Sequence, residues 1–385
     1  MNIRRQLRHV DWVLFGSTLA LICIGLLFIV SASSGQPVNG DPLFWFKRQA
    51  VWAVLSVAAM IAAMLVDYSL ILRLAPWIYG ANLGLLTLVL VVGRTTMGAQ
   101  RWLHIGGVTI QPSEFAKVAM IVAFASFLAN TERAGGSAGR DEPRPGRELI
   151  PSLLYVALPW LLVFRQPDLG TSLVFGAIFL GMLYAAGISP KLLFGLIGGV
   201  IGGSALAIYL HYRFGLPIPL RDYQLRRIMT FVNPGEDLRA SGYHTRQSQI
   251  AIGSGRLLGK GFLKGSQNQL NFLPTRHTDF IFSVVGEEVG FIGAVLVLLL
   301  FAVILWRCIQ VAARAQDTGG SLLAVGVACM IAFHVFVNVG MAAGVMPVTG
   351  LPLPFLSQGG SSLLTNCIAI GLVLNVNMRR FKIYF

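Results

Sequence analysis

The chain has 385 residues, of which 55% are hydrophobic and only 12% charged, about half the charged share of a soluble globular domain. With a mean hydropathy of +0.70, this excludes a soluble enzyme and a disordered chain, and the 43 glycines are scattered rather than periodic, which excludes a collagen-like repeat. The formal net charge of +14 therefore has to sit in the loops and interfaces of a protein folded in lipid.

A bilayer core takes about 20 apolar residues of helix. Charge-free runs predict about ten transmembrane helices, near residues 12–32, 48–66, 74–93, 112–129, 150–164, 170–187, 192–210, 280–306, 320–344 and 361–377. The first run has no small-residue cleavage site behind it and reads as a retained helix. No residue from Thr318 to Asn377 is charged, but Pro347, Pro352, Pro354, Gly359 and Gly360 divide that stretch into two helices and a turn. The expectation is an all-α, polytopic integral membrane protein, a single transmembrane domain over residues 1–385. Cys23, Cys308, Cys329 and Cys367 lie in or beside apolar runs without CxxC spacing, which suggests neither disulfides nor zinc.

Orientation follows from the basic residues of the short loops. With the N-terminus inside, the cytoplasmic segments hold 14 Lys and Arg and the short outer loops 5 (Lys47, Arg48, Arg94, Arg101 and Arg165), so both termini are expected in the cytoplasm. The segment Gly135 to Pro145 reads as a polar loop without chemistry. Residues 211–278 form a long extracytoplasmic loop between helices 7 and 8. It carries ten Lys and Arg against three acidic residues, a balance of +7. That charge suits anionic headgroups or a phosphate-bearing ligand at the outer face, where no nucleic acid is met.

Ionisable groups in or beside membrane helices are costly and mark functional candidates. Asp279, next to Arg276, His277 and Thr278 where the polar loop meets a helix, fits two roles. It is placed to act as a general base or cation ligand, and equally to cap the helix. On a helix Glu287 falls about 80° from Asp279 and could share its cavity, whereas Glu288 points away and reads as a buried structural carboxylate. Glu114 and Lys117, three apart, form a pair that is structural or catalytic. Arg101 and Trp102 suit an interface anchor or a phosphate contact. Asp168 in Gln166-Pro167-Asp168-Leu169-Gly170-Thr171 reads as a helix cap. The six histidines show no close pairing, there is no Walker A loop, and Gly253-Ser254-Gly255 and Gly259-Lys260-Gly261 read as flexible basic turns.

Taken together, Gly98-Ala99-Gln100-Arg101-Trp102-Leu103, Gln111-Pro112-Ser113-Glu114, Gln166-Pro167-Asp168-Leu169-Gly170-Thr171, Gly242-Tyr243-His244, Gln247-Ser248, Ile250-Ala251-Ile252-Gly253-Ser254-Gly255 and Arg276-His277-Thr278-Asp279-Phe280-Ile281-Phe282 resemble the SEDS family (shape, elongation, division and sporulation) of cell-wall polymerases. Ile252-Gly253-Ser254-Gly255 followed by Gly259-Lys260-Gly261 looks more like its elongation branch than its division branch. Leu238, Thr275 and Gln358 depart from the family pattern beside these motifs.

The resemblance implies an inverting peptidoglycan glycosyltransferase of the cytoplasmic (inner) membrane that polymerises lipid II into β-1,4 glycan at the outer face. Implied partners are lipid II, undecaprenyl-diphosphate-linked glycan, a class B penicillin-binding protein and other elongation-complex membrane proteins. Asp279 is then the base or the ligand of a divalent cation (Mg or Mn). Arg101, Trp102, Glu114, Lys117, Gln247, Ser248, Arg276, His277 and Thr278 are the expected substrate-binding residues. Two rival readings are a lipid II flippase or other transporter, and a scaffold that activates a penicillin-binding protein.

Overall fold

The computed structural model describes residues 9–34, 40–96, 99–105, 108–136, 149–217, 224–225, 227, 229–230, 241–273 and 275–380. In chain order the helices are α1 (Trp12–Ser33), α2 (Phe44–Leu65), the short α3 (Tyr68–Arg73) and α4 (Ala75–Val92). A three-stranded sheet follows, β1 (Arg94–Thr96), β2 (Ala99–Ile105) and β3 (Val108–Ile110). Then come α5 (Pro112–Gly136), α6 (Leu149–Arg165), α7 (Leu169–Ala185), α8 (Pro190–Phe214), α9 (Ser241–Ser254), α10 (Ser266–Gln269), α11 (Ile281–Ala313), α12 (Thr318–Ala343) and α13 (Gly360–Met378).

Each of the ten predicted apolar runs is a helix. Eight of these are long and apolar enough to cross a membrane, while α6 and α7 are apolar but shorter. The sheet is the departure from an all-helical expectation. Its strands pair antiparallel in the order β1-β2-β3, and polar residues such as Arg101 and His104 conceal so short a pattern in the sequence.

The bundle is built around α13, whose side chains are nearly all buried. A central helix in a membrane protein has to satisfy its polar groups against neighbours, because lipid offers no partner. Asn375 does so: its Nδ2 donates to Ala63 O at 2.7 Å, and its Oδ1 accepts from Tyr68 N at 3.2 Å. At the edge, α8 fully buries only Leu193, packs Leu192 and Leu196 partly against the core and leaves most of its remaining length exposed.

The two ends of the bundle differ in chemistry. At one end Asp11 caps α1 and pairs with Arg307 at 2.7 Å, Asp317 caps α12, and Asn377 Nδ2 donates to His9 O at 2.9 Å. The residue before α1 and the end of α13 therefore meet there. About 33 Å away, at 1.5 Å per residue along the 22 residues of α1, lie Arg101, Asp168, Arg276 and Asp279.

The helix that follows Asp279 is broken. Gly290 has φ 70° and ψ −166°, which interrupts α11 and frees its backbone groups. The segment after α9 fills the break. Lys260 N and Gly261 N donate to Glu287 O and Glu288 O, each at 3.0 Å, while Phe291 N and Ile292 N donate to Arg256 O and Leu257 O at 2.9 and 3.2 Å. Gly259 and Gly290 both have positive φ, and a Cβ on Gly290 would stand 2.3 Å from Gly259 N, so only glycine fits either position. What the sequence presents as a flexible basic turn is thus held against α11.

Candidate active site

Two aspartates lie at helix starts on this end of the bundle, and only one of them caps. Asp168 is the N-cap of α7 and accepts from Thr171 N at 3.2 Å. It also accepts from Gln111 Nε2 at 3.1 Å and Ser113 Oγ at 3.4 Å, and pairs with Arg101 at 3.5 Å. Gln111 N in turn donates to Ser361 Oγ at 3.2 Å. The Gln111-Pro112-Ser113 start of α5 is therefore fastened to α7 and α13 in a way that orients Arg101.

Asp279 does not cap α11. That helix has Phe280 at its N-cap, with no side-chain cap hydrogen bond, which settles the geometric half of the question the sequence leaves open. The carboxyl group is partly buried, and burial raises its pKa above the ordinary carboxylate value, against the opposing pull of the Thr278 hydroxyl and the guanidinium charges of Arg227 and Arg101. Gly350, at φ 75°, passes so close that a Cβ there would be 3.7 Å from Asp279 Oδ2.

The backbone around Asp279 is held from the neighbouring elements. Asn338 of α12, fully buried, donates from Nδ2 to Asp279 O and to Leu351 O, each at 2.8 Å. Ser357 Oγ donates to Thr278 O at 2.5 Å and accepts from Leu353 N at 2.8 Å, and Gln358 N donates to His277 O at 2.9 Å. The irregular stretch between α12 and α13 is thereby tied to the chain at Asp279 and the two residues before it. Arg227 Nη1 donates to Thr349 O at 3.3 Å in the same stretch.

The remaining predicted site residues separate into two groups. Arg101 acts on Asp279 through its charge, and Thr278 and His277 precede Asp279 in the chain, the His277 ring stacking on Trp45 with centroids 5.1 Å apart. Trp102 is half-buried beside Arg101 on β2. Burial and the adjacent Arg276 lower the His277 pKa to about 4, so the ring is neutral. Gln247 is half-buried on α9.

The second group is sealed inside the protein, and for it direct substrate contact has to be corrected. Ser248 is fully buried, its hydroxyl 2.6 Å from both Ser283 Oγ and Ala342 O. Arg276, 2% exposed, donates from Nε to Ala32 O at 2.5 Å and from Nη1 to Asn268 O at 2.6 Å, which staples the end of α1 to α10.

Lys117 and Glu114 do pair, at 2.8 Å, but inside the core, where Lys117 is wholly buried. No local sequence pattern announces the third member, which lies 217 residues away from Lys117. His334 donates from Nδ1 to Met330 O at 2.9 Å, leaving Nε2 to accept from Lys117 at 3.0 Å. Glu287 does not share the Asp279 cavity. It binds Lys260 at 2.7 Å and the backbone N–H of Gln267 at 2.9 Å, so it organises the loop. Glu288 is buried, as expected, and accepts from Ser31 and from Asn268 Nδ2 at 3.4 Å.

Sequence reasoning missed Arg227, Asn338 and Thr349–Gly350. A scan for charged groups in apolar surroundings passes over Asn338, and Arg227 was one of ten cations in its loop. A divalent cation needs several oxygen ligands. Among the described residues no three His, Cys, Asp or Glu side chains cluster for one, and the charges nearest Asp279 are guanidinium groups. The described donor set does not fit a protein-held Mg or Mn.

The family model described as "Cell cycle protein", covering FtsW, RodA and SpoVE, matches residues 11–382. Stage V sporulation protein E of Bacillus subtilis is 39% identical over 95% of this chain and 96% of its own. Peptidoglycan glycosyltransferase MrdB of Escherichia coli is 37% identical over 97% and 94%, and the probable peptidoglycan glycosyltransferase FtsW of Geobacter metallireducens 36% identical over 97% and 96%. Among solved structures, a chain from work on structural coordination of polymerization and crosslinking by a peptidoglycan synthase complex superposes with a TM-score of 0.77 at 31% identity, covering 97% of this chain and 99% of its own. The crystal structure of Thermus thermophilus rod shape determining protein RodA gives 0.69 at 30%, covering 97% and 98%. With the apolar helices described above, these matches identify a multi-pass protein of the cytoplasmic membrane, and the chain belongs to the FtsW/RodA/SpoVE family, the SEDS family.

Proposed function

We propose that this chain is a peptidoglycan glycosyltransferase that polymerises lipid II at the outer face of the cytoplasmic membrane, with Asp279 as its general base. The observation that carries the reading is the placement of Asp279. It is a carboxylate free of capping duty, with its pKa raised by burial, flanked by Arg227 and Arg101 at the end of the bundle away from the chain termini. A base has to lie near neutrality and within reach of the proton it takes. A diphosphate leaving group needs fixed positive charge beside it.

In the reaction the C4 hydroxyl of the incoming GlcNAc attacks C1 of the lipid-linked MurNAc. Asp279 takes the hydroxyl proton, the new β-1,4 bond forms as the C1–O bond to undecaprenyl diphosphate breaks, and the configuration at C1 inverts, so no covalent enzyme intermediate is required. Arg101, oriented by Asp168, and Arg227 offset the charge that develops on the diphosphate. Trp102, Gln247, His277 and Thr278 line the approach, while Glu114, Lys117, Ser248 and Arg276 hold the walls.

Both termini face the cytoplasm in this scheme, which agrees with the loop-charge count and with the contact between His9 and Asn377 at one end of the bundle. A class B penicillin-binding protein crosslinks the product strands, and the turn Ile252 to Gly261 favours the elongation machinery. The test is the purified chain with lipid II, with and without that partner, assayed for glycan strands. Strands made by wild type and not by Asp279→Asn support the reading. Strands that depend on the partner alone support the scaffold instead, and lipid II translocation without strands supports the flippase. Restoration of rod shape rather than septation in depleted cells tests the assignment to elongation.

A further inference from the structure

The loop after α9 carries a set of exposed apolar side chains that neither catalysis nor the cationic character of the region explains. Leu257, Leu258, Phe262 and Leu263 all face outward, Leu258 at 78% exposure. They lie between two exposed cations, Arg256 and Lys264. In water such a cluster is unfavourable.

Its depth is set by the backbone. Arg256 O and Leu257 O accept from Phe291 N and Ile292 N at the break in α11. At the far end of that helix Trp306 is exposed beside Arg307, as an interfacial aromatic is. Counting back about 20 residues, or about 30 Å, from Trp306 puts the opposite hydrocarbon boundary near Gly286, so the loop meets α11 about 8 Å inside it.

A second contact gives the same level. The Phe262 ring packs edge-on against Phe28 at 6.3 Å, and Phe28 is five residues before the end of α1, about 7 Å below it. Exposed Phe291, Ile292 and Leu296 continue the apolar surface down the same helix.

Irregular backbone is tolerated at such depth only when its polar groups are paired. Here Gly259 N donates to Gly255 O at 2.7 Å, Lys264 N to Gly261 O at 3.1 Å, and Lys260 N and Gly261 N to the carbonyls freed at the break. We infer that residues 256–264 form a wedge inserted into the lipid leaflet on the Asp279 side. Leu257, Leu258, Phe262 and Leu263 lie among the acyl chains, and Arg256 and Lys264 snorkel to the anionic phosphate layer. The occupant of this surface is lipid, and the wedge fixes the height of the cationic loop relative to the headgroups. The inference stands on the membrane fold and not on the chemistry assigned to Asp279.

The test is nitroxide labelling of the full chain in nanodiscs of phosphatidylethanolamine and phosphatidylglycerol. Native Cys23, exposed on the middle of α1, calibrates the acyl region, and Gln316→Cys, in the exposed turn between α11 and α12, calibrates water. Leu258→Cys and Leu257→Cys are then read in a Cys23→Ser background. Collision with oxygen as frequent as at Cys23, with a water-soluble nickel chelate excluded, is the expected result. Chelate access equal to that at Gln316→Cys overturns the wedge. Exclusion of both reagents means that protein covers the surface, and overturns lipid as the occupant.

Discussion

Asp168 and Asp279 are the same residue type, at the same end of the same bundle, each just before a helix and each near Arg101. Their environments differ in what already satisfies the carboxylate. Asp168 is spent on a helix N-terminus, two neutral donors and an ion pair. Asp279 has its backbone pinned by Asn338 while its carboxylate is left to Thr278 and the field of two guanidinium groups. A fixed position combined with an unspent lone pair is what proton transfer requires. A motif cannot distinguish these situations, because the distinction lies in what neighbouring elements bring.

The largest effect expected from this contrast is that of Asp279→Asn. On the proposed mechanism the substitution removes the general base and lowers turnover by about 10²- to 10⁴-fold, and since the carboxylate caps nothing, thermal stability should stay at the wild-type value. Glycan synthesis per folded molecule, with the crosslinking partner present, is the measurement. A comparable loss in Asp168→Asn would erase the contrast.

Lys117→Met comes next, and acts through stability. It leaves Glu114 buried without its counter-charge, which typically costs about 3–5 kcal/mol. Glu114→Gln combined with Lys117→Met should recover most of that in thermal unfolding, and activity should follow the amount of folded protein. A folded Lys117→Met chain with normal stability and no turnover would return this pair to the catalytic site.

Arg227→Gln sharpens the comparison at a smaller scale. A charge-assisted contact is worth about 1.5–3 kcal/mol, or about 10- to 100-fold in kcat/KM. There is also a signed pH effect. Arg227 lowers the Asp279 pKa, so its loss raises that pKa further, the base form requires a higher pH, and the acid limb of the kcat profile moves upward. His277, held at about 4 by burial and Arg276, is already neutral there, so His277→Asn should leave the limb where it is. A limb that moves with His277 and not with Arg227 would identify the wrong titrating group.

Much of the fold is legible in the sequence because the bilayer reduces it to one dimension. Apolar length reports each helix, and the prolines and glycines from Pro347 to Gly360 report the turn before α13. The failures share a cause. Glu287, Lys117 and Ser248 carry chemically capable groups, but whether such a group meets substrate depends on partners far away in sequence, such as Lys260, His334 and Ala342. The turn from Gly253 to Gly261 reads as flexible because its partner is the break at Gly290, which no local pattern announces within an otherwise apolar helix. A search for charge does not find Asn338, a neutral amide that holds the backbone of a charged residue.

The smallest expected effect belongs to Asp168→Asn, and it tests whether a well-satisfied carboxylate can be neutralised cheaply. Asparagine caps about as well as aspartate, so the bond from Thr171 N survives and α7 should keep its start. The amide nitrogen then replaces the oxygen that accepts from Gln111 and Ser113, so Gln111 has to turn its own oxygen toward it and the Ser113 hydroxyl has to accept. What is lost is the ion pair with Arg101, whose side chain is 27% exposed and 3.5 Å away, an interaction worth about 1 kcal/mol or less. Loosening Arg101 should therefore raise KM for lipid II by a few-fold at most, through lost positioning of the diphosphate, and leave kcat and the acid limb unchanged. Asp168→Ala removes the cap as well and should lower stability by about a further 1 kcal/mol. A fall in kcat with Asp168→Asn, at constant KM, would mean that Asp168 takes part in proton transfer and that the two aspartates act as a pair.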